Sequence, residues 1–186
     1  MTPLLFLSGW AAMVAALMVP VTLPVAVAVW RGHQGPPPRE IYLGLWWAGY
    51  LGVWMAAGLS VWATRDLWPA GAGALLPAGL YQLTPLKHAC LRRCRAPLAT
   101  VQTFYRPGSA AAVWFGVRYA GFCLGCCWAL MAAMMLVSAM GSWVLVALAT
   151  VTVLERLLPA RQAHRLGVAA GLAGVLAGVT GLVVRL

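Results

Sequence analysis

VWFGVRYAGFCLGCCWALMAAMMLV, residues 113–137, decides the fold. Arg118 is its only charged side chain. A bilayer is crossed by about 20 mainly apolar residues, so the stretch predicts a membrane-spanning helix. On that helix Cys123, Cys126 and Cys127 stand at i, i+3 and i+4 and point broadly one way. Tyr119 lies one turn earlier on the same side, and Met131 and Met134 continue it. At about 1.5 Å per residue from Val113, Cys123 falls roughly 15 Å deep, near the bilayer centre.

The rest of the chain has the same character. It has 186 residues, 63% of them hydrophobic and 9% charged, with a mean hydropathy of +0.86. Soluble domains carry roughly a quarter charged residues. The expectation is an all-α, polytopic transmembrane helix bundle forming one integral membrane domain over residues 1–186. Six spans are predicted, at about 4–30, 41–63, 68–88, 113–137, 141–158 and 165–185. The opening "MTPLLFLSGWAAM" has no basic leader segment and reads as a retained first helix, which Pro20 and Pro24 should kink.

Charge orients the bundle. The formal net charge of +10 rests on 13 Lys and Arg against 3 Asp and Glu. Arg31, Arg39, Lys87, Arg92, Arg93, Arg95, Arg106, Arg156, Arg161 and Arg165 fall in connectors one, three and five, against Arg65 and Arg185 on the other side. Short-loop Lys and Arg face the cytoplasm, so both termini are expected outside. No stretch alternates basic residues with exposed aromatics, and no nucleic-acid partner is expected. Trp10, Trp30, Trp46, Trp62, Trp68, Trp114 and Trp143 lie near span ends, as interfacial aromatics do. Gly167, Gly171, Gly174, Gly178 and Gly181 form a smooth stripe on the last span. Such a stripe admits a close helix neighbour, within the chain or in a homo-oligomer.

All five cysteines fall between positions 90 and 127. Cys90 and Cys94 lie in "LTPLKHACLRRCRAP", where Thr84 reads as an N-cap, Pro85 as the first helical residue and Pro97 as the stop. Lys87, Cys90 and Cys94 share a face of that short helix. Its ammonium, with Arg92, Arg93 and Arg95 close by, makes the surroundings positive and favours thiolate. A bare thiolate at mid-bilayer is expensive; a neutral thiol or a metal-bound thiolate is not. Thiolate with thioether selects Cu(I), whereas zinc prefers closed Cys and His sites. The competing reading is cysteine as a small apolar packing group. Met13, Met18 and Met55 are further candidate donors if their helices meet the fourth. Glu155, the one acid inside a span, is a candidate by position, or else an ion-pair partner of Arg156 beside it. His88 and His164 fall at predicted interfaces without metal-ligand spacing.

Three segments, "AGLYQLTPLKHACLRRCRAPL" (78–98), "FGVRYAGFCLGCCWALM" (115–131) and "VLERLLP" (153–159), carry a resemblance. They resemble the bacterial DUF2182 family of predicted metal-binding integral membrane proteins, sometimes labelled copper chaperone. The resemblance implies that Tyr81, Gln82, Lys87, Cys90, Cys94, Arg95, Cys123, Cys126, Cys127, Trp128, Met131 and Glu155 occupy motif positions, and that the chain sits in the bacterial cytoplasmic (inner) membrane. "ALMVP" keeps only Met18 where the family carries a double methionine, and "LVSAMGSWV" departs from its later Gly-x-Met pattern.

The leading expectation is a non-enzymatic protein that binds Cu(I) through intramembrane cysteines. It would act in copper trafficking or in assembly of a copper enzyme, with that enzyme or a copper-delivery protein as partner. The expected ligands are Cys123, Cys126, Cys127, Cys90, Cys94 and Met131, supported by Lys87, Arg95, Tyr81, Gln82 and Glu155. Two alternatives stand beside it. One is a membrane thiol–disulfide oxidoreductase using Cys123 and Cys126, against which mid-helix C-x-x-C geometry weighs. The other is a structural or assembly subunit whose cysteines only pack. No carboxylate pair, nucleophile–base arrangement or phosphate loop is present in the sequence.

Overall fold

The computed structural model describes residues 2–67, 74–136 and 142–183. Among them the chain is helical, with no strand. The helices are α1 (Pro3–Gly32), α2 (Arg39–Thr64), α3 (Leu75–Gln82), α4 (Pro85–Cys94), α5 (Pro97–Phe104), α6 (Ser109–Leu136), α7 (Ser142–Leu157) and α8 (Ala160–Val183), with a 3-10 turn at Arg65–Leu67. Three of them, α1, α6 as far as Met135 and α8, are long and apolar enough to cross a membrane. Trp68, Met140, Arg185 and the adjoining span ends lie outside the described residues.

The expected span over 68–88 is not one continuous helix. α3 covers only 8 residues, about 12 Å at 1.5 Å per residue. The Leu83 and Thr84 N–H groups turn back onto the carbonyls of Leu80 and Tyr81 at 3.1 and 3.0 Å. Thr84 then caps α4: its Oγ1 accepts the Lys87 N–H at 3.3 Å, and Pro85 occupies the first turn, where its missing N–H costs nothing. The long connector is likewise mostly helical. Pro97, expected only as a stop, also starts α5.

The described residues group into two compact units. The first comprises Met1–Ser60 and Cys90–Gly125. Its core is aromatic: Trp10, Tyr42, Trp46, Tyr50, Trp54, Phe115 and Tyr119 are all buried. α1 stays helical through Pro20 and Pro24, while Thr22 Oγ1 donates to the Met18 carbonyl at 2.5 Å. Trp10 and Trp46, expected at an interface, instead lie in this core. The Trp10 indole N–H donates to the Trp54 carbonyl at 2.8 Å, which satisfies its polar atom away from water. Trp114 and Trp143 are exposed. α2 and α6 approach closely because Gly49 and Gly116 carry no side chain. A Cβ at Gly116 would overlap the Trp46 carbonyl oxygen, and one at Gly49 would overlap that of Val113.

The second unit comprises Val61–Ala89 and Cys126–Leu186. Ala74, Leu75, Ala78, Ala129, Ala133 and Val144 form its core, with Tyr81, Trp128 and Leu148 against it. The glycine stripe of α8 is filled from within the chain. A Cβ at Gly79 of α3 would lie 2.6 Å from the Gly171 carbonyl oxygen, and one at Gly178 2.6 Å from Leu76. At Gly171, Gly174 and Gly178 the stripe thus packs within the chain, against α3 and the residue that follows it, the first of the two neighbours expected for it. Leu172, Leu176, Val179 and Val183 of α8 face outward, exposed.

Candidate metal centre

None of the five cysteines is in a disulfide, and the structure divides them between the units. In the first unit Cys94, the last residue of α4, meets Cys123 of α6 with sulfurs 3.3 Å apart and both side chains buried. Tyr119, one turn before Cys123, donates its hydroxyl to the Cys94 carbonyl at 3.4 Å. That carbonyl lies at the C-terminal end of α4. Cys90, one turn earlier on α4, rests against Gly125: a Cβ there would stand 2.6 Å from the Cys90 sulfur. Glycine at 125 thus provides the room for that thiol. Arg93 spreads over the Phe122 ring at 5.8 Å.

In the second unit Cys126, Cys127 and Met131 are buried. One nitrogen of Arg156, Nη2, donates to Cys126 Sγ at 3.0 Å and to Cys127 Sγ at 3.5 Å. The Cys127 thiol points to the Met131 thioether at 3.9 Å. Arg156 thus serves the sulfurs and not Glu155, the partner that adjacency in the sequence suggests. Neighbours at i and i+1 on a helix face about 100° apart, and that rule alone separates the two side chains.

Glu155 pairs instead with Lys87. The Lys87 ammonium donates to Glu155 Oε1, which also accepts from Gln82 Nε2 at 3.0 Å. All three side chains are buried. This corrects the role expected for Lys87: its ammonium is committed to a carboxylate, because a buried charge must be compensated. Tyr81 packs edge-on against Trp128 at 5.2 Å. Arg95 is half-buried just beyond the α4 helix, its N–H on the Leu91 carbonyl at 3.1 Å. Among the other methionines, Met18 and Met134 are buried and Met55 is exposed.

Among the described residues no three His, Cys, Asp or Glu side chains come together to hold an ion. The structure gathers sulfur in twos: Cys94 with Cys123, and Cys127 with Met131 beside Cys126. Paired sulfur donors suit a soft cation of low coordination number better than the closed four-ligand sites of structural zinc. Two sulfurs bound at about 2.3 Å stand at most roughly 4.6 Å apart, so a pair 3.3 Å apart needs only a small opening.

No curated protein and no solved structure matches the sequence. Residues 7–181 match the family model PpoB2, described as copper chaperone, and with nearly the whole chain covered this protein belongs to that family.

Proposed function

We propose that this chain is a multi-pass protein of the bacterial cytoplasmic membrane that binds Cu(I) through buried sulfur and hands it to a copper enzyme under assembly or to a delivery protein. It acts by binding and ligand exchange, not by catalysing a reaction. The family supports copper handling. The observation that carries the sulfur reading is the 3.3 Å contact of Cys94 with Cys123, which sets two buried sulfurs from different helices side by side. Two thiols are few enough that an incoming donor can displace one of them, as a carrier requires. In Cys126, Cys127 and Met131 the same helix, α6, holds a further sulfur set, to which Arg156 supplies positive charge. The sequence resemblance to the DUF2182 family rests on these same cysteine motifs.

The test is copper stoichiometry. Full-length protein purified under reducing conditions is loaded with Cu(I) and compared with Cys94→Ser, Cys123→Ser and their double variant. The expected result is the loss of one Cu(I) per chain in each single variant, with no further loss in the double. Unchanged copper in the double variant would overturn the reading.

The same sulfur pair would serve a thiol–disulfide oxidoreductase, and thiol trapping in intact cells separates the two. A carrier keeps Cys94 and Cys123 reduced, whereas a large oxidised fraction favours redox chemistry.

A further inference from the structure

The chain has three histidines, and the structure uses them in two ways. His33 has both ring nitrogens engaged in the first unit, with Nε2 2.7 Å from the Pro37 carbonyl oxygen and Nδ1 3.0 Å from the Tyr105 hydroxyl. The other two come together in the second unit. His88 of α4 and His164 of α8 stand with ring centroids 4.6 Å apart and planes at 60°. His164 is exposed and His88 half-buried.

Their placement is fixed from behind. Lys87, the neighbour of His88, is anchored to Glu155 of α7. Gly167, one turn after His164, leaves the space in which this pair sits. A Cβ at Gly167 would lie 2.7 Å from Glu155 Oε1, 3.0 Å from Lys87 Nζ and 3.6 Å from His88 Cε1. The buried ion pair and the glycine therefore hold α4 against α8 at the level of the two imidazoles.

We propose that His88 and His164 form a nitrogen-donor site for a divalent first-row transition-metal ion, separate in chemistry from the sulfur pairs. Imidazole is a donor for zinc, copper, iron and nickel. With metal–nitrogen bonds of about 2.1 Å, two rings sharing an ion at a cis angle have centres roughly 4.5–5 Å apart, which matches the spacing seen. In a neutral imidazole one nitrogen binds the ion while the other keeps a hydrogen bond. Two protein donors leave the remaining coordination positions to water or to a donor on another molecule. Arg161 and Arg165, one turn before and one residue after His164, repel a cation and keep its hold weak and exchangeable. The proposal does not depend on Cu(I) binding by sulfur, since neither histidine belongs to those sets.

The experiment titrates Co(II) into untagged full-length protein in detergent under anaerobic conditions and follows the visible spectrum. The expected result is one Co(II) per chain with ligand-field bands and no thiolate-to-cobalt charge-transfer band. Affinity should fall at least tenfold in His164→Ala and in His88→Asn, with helicity and dispersity unchanged. Three results would overturn the proposal: no Co(II) binding, a charge-transfer band showing sulfur ligation, or unchanged affinity in His164→Ala. His164 is exposed, so that variant keeps the fold, and it decides the matter even if His88→Asn unfolds.

Discussion

Arg156 contacts both sulfurs of a buried cysteine pair, and this sets its expected effect on copper. Two thiolates around one Cu(I) carry a net charge of −1, and a guanidinium beside them brings the group to neutrality. In a low-dielectric interior, uncompensated charge is costly. Hydrogen bonds to charged groups are worth about 1.5–3 kcal/mol, or tenfold and more in affinity. Arg156→Gln in a Cys94→Ser, Cys123→Ser background should therefore weaken Cu(I) binding at least tenfold in a chelator competition, with Arg156→Lys in between. Equal affinities would show that Arg156 plays no part. At this scale the sequence was half legible. The Cys127–Met131 contact and the Thr84–Pro85 cap could be read directly, because both depend on neighbours within one turn. The pairings of Lys87 with Glu155 and of Cys94 with Cys123 could not, because they join residues 68 and 29 positions apart, and spacing along the chain carries no information about them.

Helix contacts here are decided by glycine. Gly79 of α3 meets Gly171, Gly174 and Val175 of α8 at backbone distance. Gly79→Ala should force the two helices apart, and overpacking of this kind costs about 1–3 kcal/mol. At Gly44 and Gly52 of α2, a Cβ would meet nothing within 4 Å. Alanine at either should instead stabilise by about 0.5–1 kcal/mol, since glycine weakens a helix interior. Thermal unfolding in detergent reads the contrast: midpoint lowered for Gly79→Ala, level or raised for Gly52→Ala. A lowered midpoint in both would mean that helix entropy and open space do not govern these sites. The stripe itself was visible in the sequence through its spacing. Its occupant was not, because α3 is too short to declare itself by periodicity and its residues read as part of a longer span.

For the molecule as a whole, the number of crossings sets the topology. Three spans would put the ends of the chain on opposite sides of a membrane, and six put them on the same side. The six-span reading therefore expects a reporter enzyme that is active only outside the cytoplasm to be active when fused at either end. Activity at one end alone would fix an odd number of crossings. Long apolar helices announce themselves in composition, which is why α1, α6 and α8 were foreseen in the sequence. The break between α3 and α4 did so only in part: the Thr84–Pro85 cap was legible, but the mainly apolar run from Leu75 to Leu86, with Gln82 and Thr84 its polar interruptions, still read as one span. The Lys87–Glu155 pair has a consequence on the scale of descent. Losing either partner strands a buried charge, at a cost of about 3–5 kcal/mol, while exchanging both for apolar residues is far milder. A lineage can leave this arrangement only by changing two codons nearly at once, so related chains should hold the lysine and the glutamate together or lack both.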